Sequence, residues 1–427
     1  MRDAEYRNGS AVPARSDTTT STLSLKCSAP IVVEAPFRVI TPPLVIDTMM
    51  AVPLSPFAYA LWSVPSLIDF TYTNSRFAAV FGLGISSIAL VVTGHAPLTV
   101  FQSMWTYGTD IGSLIEMVNL AAVYYLAALA VALTFKAGLF NIGVESQIRL
   151  GALFAAWIGA MYELPPVLHV LSILIIGSSV GAMWAGIAAV LKVKRGVSEV
   201  ITTIMLNSIG GALSAYLLSR HFAMVVEGSN DLTTRPLAES AWVPDLLPWL
   251  DKFGITDVPG GGPYGLIFLS IAMGGVYWFL VNRTRFGFDL RASGASPTAA
   301  AVSGVNPKRM IVTAMLLSGA FAGIAMMPVL LGESHAYSLG FRGGVGFTGI
   351  AIALLGRNNA VGIAISALLF GFLEVSARIL ELDGIATEIY IIMQGSILLS
   401  AVAAYEVVRR YRQTLQARAL AKAQVAA

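Results

Sequence analysis

Residues 133–163, LTFKAGLFNIGVESQIRLGALFAAWIGAMYE, place polar and charged side chains between two apolar runs. Four of these side chains are Lys136, Asn141, Glu145 and Gln147. Because hydrocarbon cannot satisfy their hydrogen bonds, the segment must face protein, a water-filled cavity or a membrane surface. Two interpretations stay open: an ordinary loop between two membrane helices, or a helix that is broken inside the membrane beside a water-filled path.

The composition of the whole chain indicates a membrane protein. Hydrophobic residues make up 56% of its 427 residues and charged residues only 12%, whereas about 25% charge is typical of soluble domains. The charges gather between long apolar runs, which is the pattern of a multi-span protein. The single Cys27 excludes an internal disulfide framework, and the four histidines have no metal-ligand spacing. We therefore predict an all-α integral membrane protein.

Apolar runs of roughly 20 residues are long enough to cross the membrane as helices. We predict about ten transmembrane helices. Nine are full spans, and the tenth, which follows the glycine-rich residues 340–346, is short or re-entrant. The full spans are 77–98, 112–134, 147–163, 168–191, 198–219, 264–281, 310–331, 360–380 and 389–407, and the short one is 345–356. The prediction divides the chain into a poorly ordered or surface-lying N-terminal extension (1–76), a transmembrane domain (77–410) and a cytoplasmic tail (411–427).

The charges between the spans predict the orientation. Segment 282–309 holds five basic residues and one acidic residue, and so does the tail 406–427. Segment 221–263 holds two basic and six acidic residues. Because basic loops stay in the cytoplasm, both termini and segment 282–309 are expected inside and segment 221–263 outside. This arrangement needs an even number of crossings, which favours ten.

Two local patterns carry further predictions. Gly177 with Gly181, and Gly319 with Gly323, have the small-xxx-small spacing that lets helices approach closely. In segment 282–309, Ser296 before Pro297 predicts the start of a short helix of about two turns, and Gly304 predicts its end. This helix is either part of a solvated linker that only sets the topology, or a stiff docking element for a soluble partner. No glycine-rich phosphate loop ending in Gly-Lys-Ser/Thr occurs in the chain, so any ATP would bind another subunit.

Four segments in a fixed order resemble one family. They are FKAGLFNIGVESQIRLGALFAAWIG (135–159), GVSEVITTIMLNSI (196–209), RTRFGFDLRASGASPTAAAVSGVNPKR (283–309) and GFTGIAIALLGRNNAVGIAISALLFGFLE (346–374). Together they resemble the membrane permease of bacterial ATP-binding cassette (ABC) importers, in the group that serves simple sugars and nucleosides and is related to branched-chain amino acid permeases. The resemblance covers roughly residues 77–410. One position departs from it, because the family's usual Glu-Gly-Gln stands here as Glu145-Ser146-Gln147.

The resemblance implies a transporter subunit of the bacterial inner membrane, and not an enzyme. Its expected partners are an ABC ATP-binding subunit, which would hold ATP and Mg, a second permease that is homologous or identical, and an extracytoplasmic solute-binding protein. This chain would bind no cofactor or metal of its own and no nucleic acid. The expected solutes are nucleosides or related small sugars, which would cross by alternating access. Coupling to the ATP-binding subunit would fall on Arg283, Arg285, Phe286, Gly287, Arg291, Gly294, Pro297, Ala300 and Gly304.

Polar residues within the spans are the candidates for the solute path. Asn141, Glu145 and Gln147 offer donors and acceptors for solute hydroxyl groups, and the alternative is that they satisfy the broken backbone around them. Asn207 is a further candidate, or it bonds a neighbouring helix instead.

Two further pairs of polar residues each share one face of a helix. Glu116 and Asn119, three residues apart, could line an entrance. Glu374 and Arg378, four residues apart, are expected to pair with each other.

Two other function classes were weighed against an ABC importer of nucleosides or sugars. Within the importer class, another simple sugar or a branched-chain amino acid is an alternative solute. An ion-coupled secondary transporter would need coupling carboxylates deep in the membrane, and only Glu145 and Glu374 come near that description. An intramembrane enzyme lacks a His-Glu-x-x-His motif, paired aspartates or a serine motif.

Overall fold

The computed structural model describes residues 82–225, 232–254, 258, 261–382, 384–385, 389–400 and 403. The predicted extension 1–76 and the predicted tail 411–427 lie outside these residues, as do the first residues of span 77–98 and most residues of span 389–407 beyond 400. The described chain is mostly helical. Its helices are α1 Gly82–Val92, α2 Pro97–Gly108, α3 Ile111–Lys136, α4 Val144–Gly159, α5 Pro166–Arg195, α6 Glu199–Leu217, α7 Leu247–Leu250, α8 Ile267–Arg283, α9 Arg285–Ala295, α10 Pro297–Val302, α11 Pro307–Gly323, α12 Met327–Val329, α13 Val345–Leu355, α14 Ala360–Ser376, α15 Ile379–Leu382 and α16 Ile389–Ser400.

Within the described residues, five helices are long and apolar enough to cross a membrane, and the number rises to seven if each of two bent pairs counts as one span. The first bent pair is α1 with α2, and the second is α8 with α9. The protein is thus a multi-pass membrane protein, as predicted, and the count of ten spans stays a prediction. The five long helices are Ile111–Lys136, Pro166–Arg195, Glu199–Phe222, Pro307–Ser334 and Ala360–Leu382.

Two predicted spans differ from the observed helices. Span 77–98 ends earlier, because α1 stops at Val92 and the chain turns through 116° into α2, a helix that the sequence did not predict. Gly94, at φ +85°, makes this turn, and Pro97 starts α2 at a position where its missing N–H is harmless. Span 147–163 is a helix of 16 residues that begins at Val144. At 1.5 Å per residue it is about 24 Å long, which is short for a full crossing.

Helix α3 is the centre of the bundle. It is apolar on all sides, and every residue from Leu126 to Thr134 is fully buried, as expected for a helix that is surrounded by others. Its neighbours are α8, α11, α13 and α14. Helix α13, which is 11 residues long, was predicted as a short span and packs along the middle of α3, where Gly349 lies against Ala127.

The predicted small-xxx-small pairs meet in one helix crossing. A Cβ placed on Gly323 of α11 would lie 2.0 Å from the carbonyl oxygen of Gly177 on α5. A Cβ on Gly181 would lie 2.2 Å from the carbonyl oxygen of Gly319. Gly151 of α4 enters the same crossing, 2.8 Å from Gly323 Cα by the same measure. Only glycine fits at these positions, and the sequence prediction of close packing is confirmed.

The two ends of the bundle differ in character. The hairpin end carries the antiparallel strands β1 (Ala223–Val225) and β2 (Leu232–Thr234) together with α7. It is tied down by the fully buried His169, whose ring nitrogens bond Ser240 Oγ at 2.8 Å and the Gly159 carbonyl oxygen at 3.0 Å. The opposite end, here called the α10 end, carries α9 and α10.

Candidate functional site

The connection between α3 and α4, residues 137–143, turns back into the helix bundle. Near its start Gly138, at φ +69°, lies against the backbone of Gly294 on α9. The chain then carries Asn141 alongside α11, where Asn141 Nδ2 donates to Ser318 Oγ at 2.9 Å. Ser318 is 11 residues past the start of α11, which is about 16 Å along the helix. The break therefore lies within the bundle, which favours a helix interrupted inside the membrane over a surface loop.

Asn141 and Gln147 hold this break together. Asn141 Nδ2 donates to Gln147 Oε1 at 3.0 Å, and Gln147 Nε2 donates back to Asn141 Oδ1 at 3.1 Å. Asn141 Oδ1 also accepts from the Gly143 amide at 3.1 Å. Both side chains are completely buried. Their polar atoms are used by the protein itself, as irregular backbone inside a membrane requires, so a contact with solute stays a prediction for these two residues.

Asn207 fastens α6 to the same break. Its Nδ2 donates to the Ile142 carbonyl oxygen at 2.6 Å, and its Oδ1 accepts from the Ser146 amide at 3.0 Å. Asn207 thus makes the bond to a neighbouring helix that was stated as its alternative role. Ser146 is also well accommodated: its hydroxyl donates to the Gly143 carbonyl oxygen and accepts from Trp184 Nε1, both at 2.9 Å.

Glu145 links the start of α4 to the start of α13. Its two carboxylate oxygens accept from the amides of Gly344 and Gly346 at 2.9 and 2.8 Å. The side chain also accepts from Arg149 Nε at 2.9 Å and is only 7% exposed. A helix N-terminus has free N–H groups and a partial positive charge, so it favours a carboxylate at this place. A Cβ on Gly346 would lie 2.4 Å from the Glu145 amide nitrogen, so glycine is needed for the close approach.

Glu374 does not pair with Arg378, and that expectation was wrong. Its partners are Arg342, whose Nη1 lies 3.0 Å from Glu374 Oε1, and Tyr124 on α3, whose hydroxyl donates to Glu374 Oε2. Helix α14 ends at Ser376, so Arg378 lies beyond the helical spacing that would bring the two residues together.

Glu116 and Asn119 take separate roles at the hairpin end. Asn119 is buried; it donates to the Gly262 carbonyl oxygen at 3.3 Å and accepts from the Tyr264 amide at 2.8 Å. It thereby anchors the chain that leads into α8. Glu116 is half exposed and forms an ion pair with Arg378. Glu116 is the more exposed of the two, and an entrance role for either residue stays a prediction.

His335 and Tyr264 are titratable groups at the hairpin end. The His335 ring stacks on Trp242 with 4.1 Å between the ring centroids. Burial lowers the pKa of His335, and the nearby Glu333 opposes that shift. His335 is therefore uncharged near neutral pH. The Tyr264 hydroxyl donates a hydrogen bond to Glu333.

The short helix predicted from Ser296 is present as α10. Ser296 Oγ accepts from the Ala299 amide at 3.3 Å, Pro297 is the first helical residue, and Gly304 takes φ +85° just past the end. Ala300 is 3% exposed and fastens the helix to the bundle, whereas Val302 is 91% exposed. Helix α10 is therefore anchored to the bundle on one side and exposed on the other.

The other predicted coupling residues support α10 from the preceding helix. Gly287 and Gly294 allow α9 to press against the ends of α8 and α3, where any Cβ would lie within 2.6 Å of a carbonyl oxygen. Arg291 donates to the Val281 carbonyl oxygen. Arg283 lies over the Trp278 ring at 5.2 Å, Phe286 is half buried, and Arg285 is exposed. These contacts make α9 a rigid base for α10.

Three partners of the predicted polar residues were not singled out from the sequence: Ser318, Tyr124 as the partner of Glu374, and Arg342. Ser318 lies inside the Ser-Gly-Ala-Phe-Ala-Gly run that was noted only for its glycines. Arg342 is the one charged residue of the glycine-rich segment 340–346. A charge inside such a segment was a signal that could have found it.

One pocket among the described residues lies away from the predicted site residues. A pocket of about 190 Å³ opens between the end of α4 and the chain after β2. Its lining residues are Ala160, Met161, Tyr162, Glu163, Arg235, Pro236 and Ala238. Within the described parts of the chain, no group of three or more His, Cys, Asp or Glu residues is placed to hold a metal ion.

Comparison with known proteins gives a family and named relatives. Residues 113–402 match the family model described as branched-chain amino acid transport system / permease component. The guanosine ABC transporter permease protein of Bacillus subtilis is 34% identical over 338 residues, which are 77% of this chain and 92% of that protein. No solved structure matches the chain.

Two further relatives are similar over most of their length. The glucose ABC transporter permease protein of Haloferax volcanii is 32% identical over 80% of this chain and 89% of its own length. The nucleoside ABC transporter permease protein of Lactococcus lactis is 29% identical, over 75% of this chain and 88% of its own length.

Proposed function

Because this chain belongs to the family of branched-chain amino acid transport system permease components, we propose that it forms the membrane path of an ATP-driven nucleoside importer. It is a permease subunit and not an enzyme, as its relatives are ABC transporter permeases for nucleosides or sugars. The choice of nucleosides as the solute rests on the 34% identity with a guanosine permease over 92% of that protein. Simple sugars are the second candidate, which the glucose permease relative supports.

The proposed topology has ten spans with both termini in the cytoplasm of a bacterial cell, in its inner membrane. The α10 end is then cytoplasmic, because Arg283, Arg285, Lys308 and Arg309 surround it. The hairpin end faces outward. Two short helices, α4 and α13, meet inside the bundle through Glu145. Broken helices of this kind are tolerated where protein or a water-filled cavity surrounds them.

Helix α10 is proposed as the coupling element. A soluble ATP-binding subunit, which would hold ATP and Mg, would receive the exposed Val302 and its neighbours in a groove. Since α10 is capped at Ser296 and rests on α9, a push from that subunit would reach the ends of α3 and α8 with little loss. This chain would bind no cofactor itself.

Two more partners complete the proposed importer. A second permease, identical or homologous, would complete the path, and a solute-binding protein would dock at the hairpin end. The ion-coupled alternative finds less support, because each deep carboxylate already has an arginine partner. Glu145 bonds Arg149 and Glu374 bonds Arg342, so neither is a free carboxylate for a coupling ion.

Purification with the candidate partners tests this function. The chain, co-expressed with an ATP-binding subunit, a second permease and a binding protein, is extracted in mild detergent and placed in vesicles. We expect the ATPase activity of the complex to rise with nucleoside and binding protein, and more with guanosine than with glucose. Stimulation by glucose alone would move the solute to the sugar class. Solute uptake by the chain alone, without ATP, would establish the secondary-transporter alternative.

A loop exchange tests the coupling role of α10. Replacing residues 296–304 by a glycine-serine linker of equal length should abolish nucleoside-stimulated transport but leave membrane insertion intact. Ser303→Ala, at the C-cap of the same helix, removes only the side-chain hydrogen bond to the Ala299 carbonyl oxygen and keeps the helix backbone. It is the matched control and should transport normally. Normal transport by the linker variant would refute the coupling role of α10.

A further inference from the structure

Three arginine–carboxylate pairs follow one another along one side of the bundle. They are Arg149 with Glu145, Arg342 with Glu374, and Arg378 with Glu116. The arginine side chains are 31%, 36% and 38% exposed, whereas the Glu145 and Glu374 side chains are only 9% and 15% exposed. In the first two pairs the carboxylate thus lies behind and the guanidinium is turned toward open space.

The pairs form a string in which the first two are joined by contact and the last two by the end of helix α14. The Arg149 guanidinium packs on Gly343, where an added Cβ would lie 2.5 Å from Arg149 Nη2. Gly343 is the neighbour of Arg342, whose partner Glu374 precedes Arg378 by four residues. With three positive and three negative charges, the string is neutral as a whole.

The string runs from the middle of the bundle to the hairpin end. Glu374 accepts from Tyr124, 13 residues into the 26-residue helix α3, which is about 20 Å from its start. Glu116 is 5 residues into the same helix, or about 8 Å. Partly exposed guanidinium groups at these depths are too costly to face lipid, so they face water or protein.

Other exposed faces of the bundle have the opposite character. Ile365 on α14 and Ile271 on α8 are 64% and 63% exposed, which is more than any of the three arginines. Their neighbours on the same faces, such as Val361 and Phe268, are apolar as well. These faces suit hydrocarbon. Exposure alone therefore does not distinguish lipid from water along this chain, but the chemistry of the exposed groups does.

We infer that Arg149, Arg342 and Arg378 line the water-filled path and bind the solute through hydrogen bonds to its acceptor atoms. The inference rests on the proposed function and names the wall of its path. Arginine offers only donors, and the carboxylates that could act as acceptors are already engaged. Solutes that fit this wall carry several acceptors in one plane or along one edge, as purine rings and ribose hydroxyl groups do, and carry no net positive charge.

Cysteine accessibility in the assembled importer tests the wall directly. Cys27 is the only cysteine and is first replaced by serine. Arg342→Cys and Arg378→Cys are then compared with Ile365→Cys and Ile271→Cys, using a charged, membrane-impermeant methanethiosulfonate reagent in vesicles. Thiols in water form the reactive thiolate readily, so we expect the arginine positions to react about tenfold faster or more than the isoleucine positions. Guanosine with its binding protein should slow labelling at Arg342→Cys.

Uptake kinetics provide the second measurement, in case a cysteine variant fails to assemble. Arg342→Gln should raise the KM for guanosine about tenfold while the complex still assembles, since a donor pairing with the solute is weakened. Arg342→Lys, which keeps the charge but loses the fork, should fall between the two. One outcome would refute the arginine-lined path and leave the proposed function intact. In that outcome the importer transports nucleosides, Arg342→Cys reacts no faster than Ile365→Cys, and Arg342→Gln leaves the KM unchanged. If instead nucleosides are not transported at all but the arginine positions still react fast, the path stands and the solute class is wrong.

Discussion

Replacing Gly323 by alanine should destabilise the helix crossing at the centre of the protein. The added Cβ would lie 2.0 Å from the Gly177 carbonyl oxygen, about 1.4 Å inside the 3.4 Å at which ordinary contact begins. Neither side can yield cheaply, because the obstacle is backbone and Gly151 presses on Gly323 from a third helix. Overpacking of this kind costs about 1–3 kcal/mol or more.

Gly275→Ala is the matched control for this substitution. Gly275 also lies inside a membrane helix, α8, but an added Cβ there has nothing within 4 Å. Alanine in an open helical position is better than glycine by roughly 0.5–1 kcal/mol. The two substitutions, which are chemically the same, should therefore change stability in opposite directions.

Thermal unfolding in detergent measures the difference. Both variants carry the same membrane-insertion signals, so their expression in the membrane fraction should be similar. We expect the Tm of Gly323→Ala to lie several degrees below that of the natural chain, and the Tm of Gly275→Ala to equal or exceed it. A Gly323→Ala protein that unfolds at the same temperature as Gly275→Ala would refute the reasoning from backbone contact.

Three further substitutions have expected outcomes. Glu145→Gln should lower stability by about 1–3 kcal/mol, measured as Tm, and should reduce uptake. The reason is that an amide nitrogen, which donates, replaces one of the two oxygens that accept from the amides of Gly344 and Gly346. Unchanged stability and uptake would contradict this prediction. Asn141→Ala should cost a similar amount, about 1–3 kcal/mol, because the Ser318 hydroxyl loses a donor while keeping its own acceptor, and the Gly143 amide loses its acceptor; a Tm equal to that of the natural chain would contradict this account. His335 has a folded-state pKa below its ordinary value of 6.5, so the unfolded state binds more protons and stability should fall as pH drops below that value, with no effect at higher pH. His335→Gln should remove this part of the pH dependence, and an identical Tm–pH profile for both proteins would exclude it.

Local and repetitive signals in the sequence predicted much of the fold. Hydrophobic length alone located α3, α5, α6, α11 and α14, because each apolar run stands between charges that lipid excludes. The glycine pairs of α5 and α11 and the cap of α10 were also predicted correctly, since each depends on residues within one or two turns.

Features that depend on distant residues could not be predicted in the same way. The partner of Glu374 was expected one turn away at Arg378, but it is Arg342, which lies 32 residues earlier. Helix α2 was missed because its 12 residues are too few for a span and its exposed Trp105 resembles an interfacial anchor. Asn141 and Glu145 were recognised as unusual, but the sequence could not say that their partners lie on α11 and α13.

The hydrogen bonds of the broken helix join residues that are synthesised at widely different times. Asn141 precedes Ser318 by 177 residues, and Glu145 precedes the amide of Gly346 by 201. At the usual ribosomal pace, the first partner of such a pair waits about 10–40 s for the second to be made. During that interval the early polar side chains are in the membrane without their final partners, so water or an insertion factor must shield them. We therefore expect the nascent chain to be more open to proteolysis before α13 has been completed than afterwards.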